Sequence, residues 1–287
     1  MQYDSLDDFL TSGKSALAKG PVALIFVEDN VEVDSTLRHH LHLGFKSVIA
    51  FMPQDFALGS ELSDRIHRVT LTCVPSTVAF DTINRIIQAA PGIWMYYCYN
   101  AEYLFFPFCE TRTVGELLAF HAEERRDAML SHVVDLYADD LNTFPNGVAP
   151  DHAMLDSTGY YAHARHDAEG HPVERQLDMS GGLRWRFEDH IPYERRRIDR
   201  IALFKSRKGL ELRPDHTFNE PEYNTYSCPW HHNMTAAVCS FRAAKALKTN
   251  AGSTFDIPSF CWHNSVPFQW KSGQLLDLGL IESGQWF

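Results

Sequence analysis

The sequence predicts an α/β fold: one domain built on a mostly parallel sheet flanked by helices. Two observations predict it. Short apolar runs of strand length alternate with segments of helical period, the pattern of β-α-β units with right-handed crossovers. The first of those runs, Val22 to Val27, is apolar without alternation, as a parallel strand covered on both faces must be. A length of 287 residues, with 45% hydrophobic and 22% charged residues, suits one such core.

Residues 4–19 carry Leu6, Phe9, Leu10, Ala16 and Leu17 among charged residues, a short amphipathic helix ended by Gly20-Pro21. The strand at 22–27 follows, closed by Glu28-Asp29-Asn30. Val33, Leu37 and Leu41 then recur every four residues up to Gly44, a helix with its C-terminal glycine. Strands are expected at 47–51, stopped by Pro53, at 67–73, and at 93–98. Between the last two lies a helix over 76–89, with Ser76 as its N-cap.

Thr113, with Glu116 three residues on, opens a helix over 113–127 as a capping box. Met129 to Tyr137 fits strand or helix, and the compact run around Val133, Val134 and Leu136 favours strand. Residues 142–190, broken by Pro145, Pro150, Gly170, Pro172 and Gly181-Gly182, read as an irregular insertion facing substrate. A strand at 198–204 and a helix over 270–280 complete the chain.

Lys and Arg number 26 against 37 Asp and Glu, a formal charge of −11. Such a surface repels a phosphate backbone, so no nucleic-acid partner is expected. The first residues are acidic where a secretory signal would be basic, and no apolar run reaches membrane-spanning length. A cytoplasmic protein without a membrane span is the expectation. The six cysteines, Cys73, Cys98, Cys109, Cys228, Cys239 and Cys261, show no C-x-x-C spacing and read as free thiols. G-x-S-x-G, P-loop and G-x-G-x-x-G motifs are absent, which removes the usual support for hydrolase, NTPase and dinucleotide-oxidoreductase readings.

Two stretches resemble glycosyltransferase family 2. The first runs from Val27-Glu28-Asp29-Asn30 to His40, Gly44 and Phe45, where the family has a strand ending in Asn-Glu and a helical His four residues before a Gly. The second is Asn84, Trp94 and then Tyr99-Asn100-Ala101-Glu102-Tyr103-Leu104, where the family reads Asp-x-Asp-Glu-Phe-Leu. The resemblance covers the first 110 or so residues well and the rest loosely. It implies a GT-A-like, Rossmann-like domain over 1–287. Residues 1–112 would form the nucleotide-sugar-binding half and 113–287 the acceptor and closing half. It also implies transfer of a sugar from a nucleotide-sugar donor to a saccharide or other hydroxyl acceptor, for instance in surface-polysaccharide assembly. The alternative is a non-catalytic relative that binds a sugar, a nucleotide or a protein.

The chain departs from the family where the metal would sit. Tyr99 and Ala101 replace both acids of the Asp-x-Asp element, which in the family hold a divalent cation on the donor diphosphate. Alanine offers no ligand and tyrosine is a poor one for Mg²⁺ or Mn²⁺. No metal ligands and no required cofactor are therefore expected, with Mn²⁺ or Mg²⁺ held weakly at most. Glu102, the surviving acid, is the expected catalytic group; its bland reading is a structural ion pair. Glu28, Asp29 and Asn100 would contact the donor nucleotide, against a bland reading as a solvated turn. Lys205, Arg213, His231 and His232 would hold the diphosphate, with Lys208 nearby, and Trp230 would stack on the acceptor. The bland reading of His231, His232 and Trp230 is a pair of exposed loop histidines beside a core Trp. Arg125 and Arg126, in a dense charge run, read as a solvated helix face or as a phosphate contact. His39, His40 and His42 fan around their helix, and the resemblance implies that His40 is a structural residue packed on the sheet.

Overall fold

A computed structural model describes residues 1–72 and 76–286. In chain order the elements are β1 (Gln2–Tyr3), α1 (Leu6–Ser12), β2 (Val22–Phe26), α2 (Val33–His42), β3 (Ser47–Met52), α3 (Ser60–Ser63), β4 (His67–Thr70), α4 (Ser76–Ala89), β5 (Trp94–Tyr99), β6 (Glu102–Phe105) and α5 (Val114–Glu123). After these come β7 (Ala128–Ala138), β8 (Ala153–Asp156), β9 (Tyr160–His166), β10 (Pro172–Gly181), α6 (Gly182–Arg186), β11 (Asp199–Lys205), β12 (Ser227–Cys228), β13 (His231–His232), β14 (Ala236–Ser240), α7 (Arg242–Thr249), β15 (Ser265–Pro267) and α8 (Ser272–Asp277). The chain gathers into two compact units. The first is Met1–Tyr103, Thr111–Leu130 and Ile201–Asn224; the second is Leu104–Glu110, Ser131–Arg200 and Thr225–Phe287. The division is not made at residue 112, because residues 111–130 and 201–224 return to the first unit.

The first unit is an α/β layer with a mostly parallel sheet, in the order β1-β4-β3-β2-β5 and then the end of β11. All pairs are parallel except β11, which runs antiparallel to β5 with Lys205 opposite Trp94. Every residue of β2 is fully buried, which is why its sequence is apolar without alternation. Phe26 and Phe51 stack at 4.8 Å on neighbouring strands. Helix α2 turns Val33, Thr36, Leu37 and His40 inward, one face at helical spacing. It ends before Gly44, whose φ of +86° suits glycine and whose missing Cβ would lie 3.2 Å from Thr113. Thr113 and Glu116 form both bonds of the expected capping box on α5.

In the second unit β7 pairs parallel with β14, Asp135 standing opposite Ser240, and antiparallel with β8. β8 pairs antiparallel with β15. β9 and β10 form an antiparallel hairpin, with His171 and Glu169 donating their backbone N–H groups to the Asp167 carboxylate in its turn. The segment 142–190 is thus not irregular, as its prolines and glycines suggested. Pro172 takes the first position of β10, where a strand tolerates it, and the glycines mark turns and a helix start.

Other boundaries shift. Residues 4–19 split into α1 and a 3-10 turn, Lys14–Leu17. The third strand covers only His67–Thr70, the strand after β10 covers Asp199–Lys205, and the last helix covers only Ser272–Asp277 before the left-handed Gly279. Cys73 and the side chain of Ser76, assigned above as a strand end and an N-cap, lie outside the described residues. The cysteines among the described residues, Cys98, Cys109, Cys228, Cys239 and Cys261, are all free.

Candidate functional site

At the carboxyl ends of β2 and β5, where parallel α/β sheets bind ligands, the loop 28–31 is held by one side chain. Asn100 accepts from the Glu28 backbone N–H at 2.8 Å. Its amide donates to the Asp29 carboxylate at 2.8 Å and to the carbonyls of Asp29 and Val31 at 3.2 and 2.8 Å. Asn100 has no exposed surface, whereas Glu28 and Asp29 are half-buried. Three of the expected donor-binding residues therefore meet here. Asn100 positions the loop, and the Asp29 carboxylate that it bonds also accepts the Val31 N–H at 2.9 Å.

The turn that follows is locked. Ala101 adopts φ +61° and donates its backbone N–H to Thr36 at 2.9 Å. Glu102 folds back on its own turn and accepts the Tyr99 N–H at 2.9 Å. Its carboxylate is fully buried. A base that activates an acceptor must reach it, so Glu102 in this position serves the turn. His40 is buried beneath, bonded to the Thr36 carbonyl at 2.8 Å and stacked on Tyr96 at 5.2 Å. Burial, with His39 beside it, pushes its pKa down to about 3, so the ring is neutral and structural.

Lys205 stands away from this loop. Its register partner Trp94 opens β5, while Asn100 follows the end of that strand. Six strand residues separate the two positions by about 20 Å. Lys205 pairs instead with Asp127 at 3.8 Å. Arg213 and Lys208 are exposed; the Arg213 N–H closes a turn on the Thr217 carbonyl, and the preceding Leu212 is held by Asn84 on α4.

His231, His232 and Trp230 belong to the second unit. They form the β12–β13 hairpin, with Pro229-Trp230 at its turn. Trp230 is 65% exposed. His231 lies against Cys228, with ring nitrogens 3.4 and 3.5 Å from the sulfur, and His232 stacks on Tyr226. Asn233 accepts the Cys228 N–H at 2.6 Å and fixes the hairpin.

The second unit also holds a polar cluster that sequence reasoning missed. Asp156, 1% exposed, receives Arg186 through Nε at 2.8 Å and a terminal nitrogen at 3.1 Å, the indole of Trp262 at 2.8 Å, and the Tyr137 hydroxyl. The Arg186 guanidinium lies over the Tyr137 and Trp262 rings. Asp135, equally buried, lies 3.7 Å from the Arg184 Nε and accepts the Arg184 backbone N–H. Gly182, at φ +61°, brings the chain so close that a Cβ there would stand 2.9 Å from the Asp135 carboxylate. Burial pushes Asp135 up to about 6 although Arg184 opposes it. The signal was present in the sequence: an acid inside the apolar run Val133-Val134-Asp135-Leu136.

No protein-family model matches the chain, and no curated protein matches it. Among solved structures, the crystal structure of S. aureus TarS 1-349 in complex with UDP is similar in part. The identity is 15%, the match covers 40% of this chain and 36% of that one, and the TM-score is 0.29. At that score the likeness says nothing about what this chain binds. Among the described residues, no helix is long and apolar enough to cross a membrane.

Proposed function

We propose that this protein binds a nucleotide sugar through the first unit and transfers its sugar to a hydroxyl acceptor. The observation that supports this reading is the loop at the carboxyl ends of β2 and β5, with Glu28 and Asp29 presented by Asn100. Carboxylates at such a position accept bonds from ring N–H groups and ribose hydroxyls. The same segment carries the resemblance to glycosyltransferase family 2. The donor diphosphate is held without a tightly bound cation, because position 101 offers no ligand and Glu102 is turned inward. Basic side chains do that work in our reading, with Arg213 the candidate within the first unit. Lys205 and Lys208 fit this role least: Lys205 is engaged with Asp127 near the start of β5, and the neighbours of Lys208, Ser206 and Gly209, bond Ile93 and Gln88 at the same end.

A second reading has its own support. The burial of Glu102 removes the expected base from reach, which favours a relative that binds a sugar, a nucleotide or a protein without turnover. Calorimetric titration with a panel of nucleotide sugars, with and without Mn²⁺, tests both. Binding accompanied by release of a nucleoside diphosphate supports the transferase. Binding without turnover on long incubation supports the second reading. No binding by any donor sinks the donor site altogether.

A further inference from the structure

We infer that the second unit carries a saccharide-binding surface built on Tyr161, Trp185 and Trp262. Trp185 and Tyr161 are 40% and 44% exposed, and their rings meet edge to face with centres 5.4 Å apart. Trp262 is half-buried, and the ring of the exposed His263 meets it edge to face at 4.6 Å. Gly159 lies between the two indoles: a Cβ there would stand 3.7 Å from Trp185 and 3.9 Å from Trp262. The patch therefore runs without a break from Tyr161 through both tryptophans to His263.

The fold holds this patch from beneath. Helix α6 buries Leu183 and turns Arg184 and Arg186 inward, to Asp135 and Asp156. Successive residues of a helix diverge by about 100°, so anchoring both neighbours of Trp185 fixes the direction in which its side chain leaves. Trp262 donates its indole N–H to Asp156 at 2.8 Å, and the Arg186 guanidinium lies 4.9 Å from its ring centre. Rings held in this way lose little freedom when a ligand covers them.

The polar tips of the patch identify the ligand class. The Trp185 indole N–H, the Tyr161 hydroxyl and the His263 ring nitrogens make no hydrogen bond among the described residues. Contiguous exposed rings mark a surface that something covers. A pyranose has an apolar C–H face and a rim of hydroxyls. It covers a ring with the first and meets N–H and O–H tips with the second. An aliphatic protein segment would cover the rings and leave those tips unpaired. Gly159, at φ +91°, occupies a conformation that suits glycine, and a side chain there would fill the space between the indoles.

The inference does not rest on donor binding. All of these residues lie in the second unit, whereas Glu28, Asp29 and Asn100 lie in the first. Saccharide binding measured without nucleotide therefore succeeds or fails separately from the donor site.

Calorimetry without nucleotide tests it, with cellohexaose, maltohexaose and a hexamer of N-acetylglucosamine as probes. The wild type should bind at least one of the three saturably. Mannitol, which has hydroxyls but no pyranose face, should not bind. Trp185→Ala should weaken binding at least tenfold. Trp185→Phe, which keeps a ring and loses the N–H, should fall between, and Tyr161→Phe, which loses only a hydroxyl, should cost less than Trp185→Ala. Both side chains are exposed, so an unchanged melting temperature is expected and checks that the variants fold. Light scattering separates the other occupant of such a patch, a second copy of the chain. Self-association that Trp185→Ala abolishes, with no saccharide bound, overturns the inference. So does the absence of saturable binding of all three hexasaccharides at millimolar concentration, or wild-type affinity in Trp185→Ala.

Discussion

The side-chain amide of Asn100 donates to the carboxylate of Asp29, 71 residues earlier, at 2.8 Å. This bond and its three companions tie the ends of two parallel strands into one loop. In Asn100→Ala, the part-buried bonds to Glu28, Asp29 and Val31 lose their partner. Each unsatisfied buried group costs about 1–3 kcal/mol, less where the loop relaxes to meet water. We expect denaturant unfolding to register a loss of at least about 2 kcal/mol, and calorimetry to register weaker donor binding. Full stability in the variant would show that the loop is held by something else.

Donor binding should not need a cation. If the diphosphate is held by side chains, activity survives EDTA, and Arg213→Ala weakens donor binding more than Glu102→Ala does. Glu102→Ala should instead lower the melting temperature, since the buried Tyr99 N–H loses its acceptor. Activity abolished by EDTA and restored by Mn²⁺ would contradict this.

Stability should fall in mild acid. Burial pushes His40 down to about 3 and His121 and His132 to about 4, from an ordinary 6.5. For these groups the unfolded chain binds protons that the folded chain refuses. Their contribution is complete above about pH 6.5 and is lost as the pH falls towards 4. Asp135, raised from 3.8 to about 6, has the opposite sign: the folded chain holds its proton at pH 5 and the unfolded chain does not. Three protons against one leave roughly two, a slope near 3 kcal/mol per pH unit around pH 5. Melting temperatures between pH 7.5 and 5 should drop steadily, and His121→Gln should flatten the curve. A melting temperature that rises over this range would refute the assignment.

The cluster on Asp156 makes a separate claim about the second unit. Asp156→Asn leaves the Arg186 guanidinium, 10% exposed, without its counter-charge. Breaking one side of such a buried pair costs about 3–5 kcal/mol. The indole of Trp262 bonds the same carboxylate, so its fluorescence should shift with the substitution. A change below about 1 kcal/mol would mean that solvent reaches the pair.

Some of this was legible in the sequence because local patterns alone fix it. The unbroken apolar run of β2 requires two covered faces, and it has them. Thr113 and Glu116 cap α5 across three residues, a geometry that needs nothing distant. The spacing of Val33 and Leu37 sets the buried face of α2 in the same way, while Leu41, the third residue of that pattern, is half-buried.

The irregular reading of 142–190 failed because proline and glycine mark turns and strand starts as readily as loops. The candidate site divided for a different reason. Glu28, Asp29 and Asn100 meet because β2 and β5 are parallel neighbours, so their carboxyl ends coincide. Lys205 ends a strand that runs the other way, so its charge arrives at the opposite edge. Strand direction is a property of pairing, which no window of sequence contains. The enclosure of Asp135 has the same origin, since β7 pairs with β14 and β8. Residue types and periods set what each segment can form; the pairing of distant strands decided which polar groups face a ligand and which face the core.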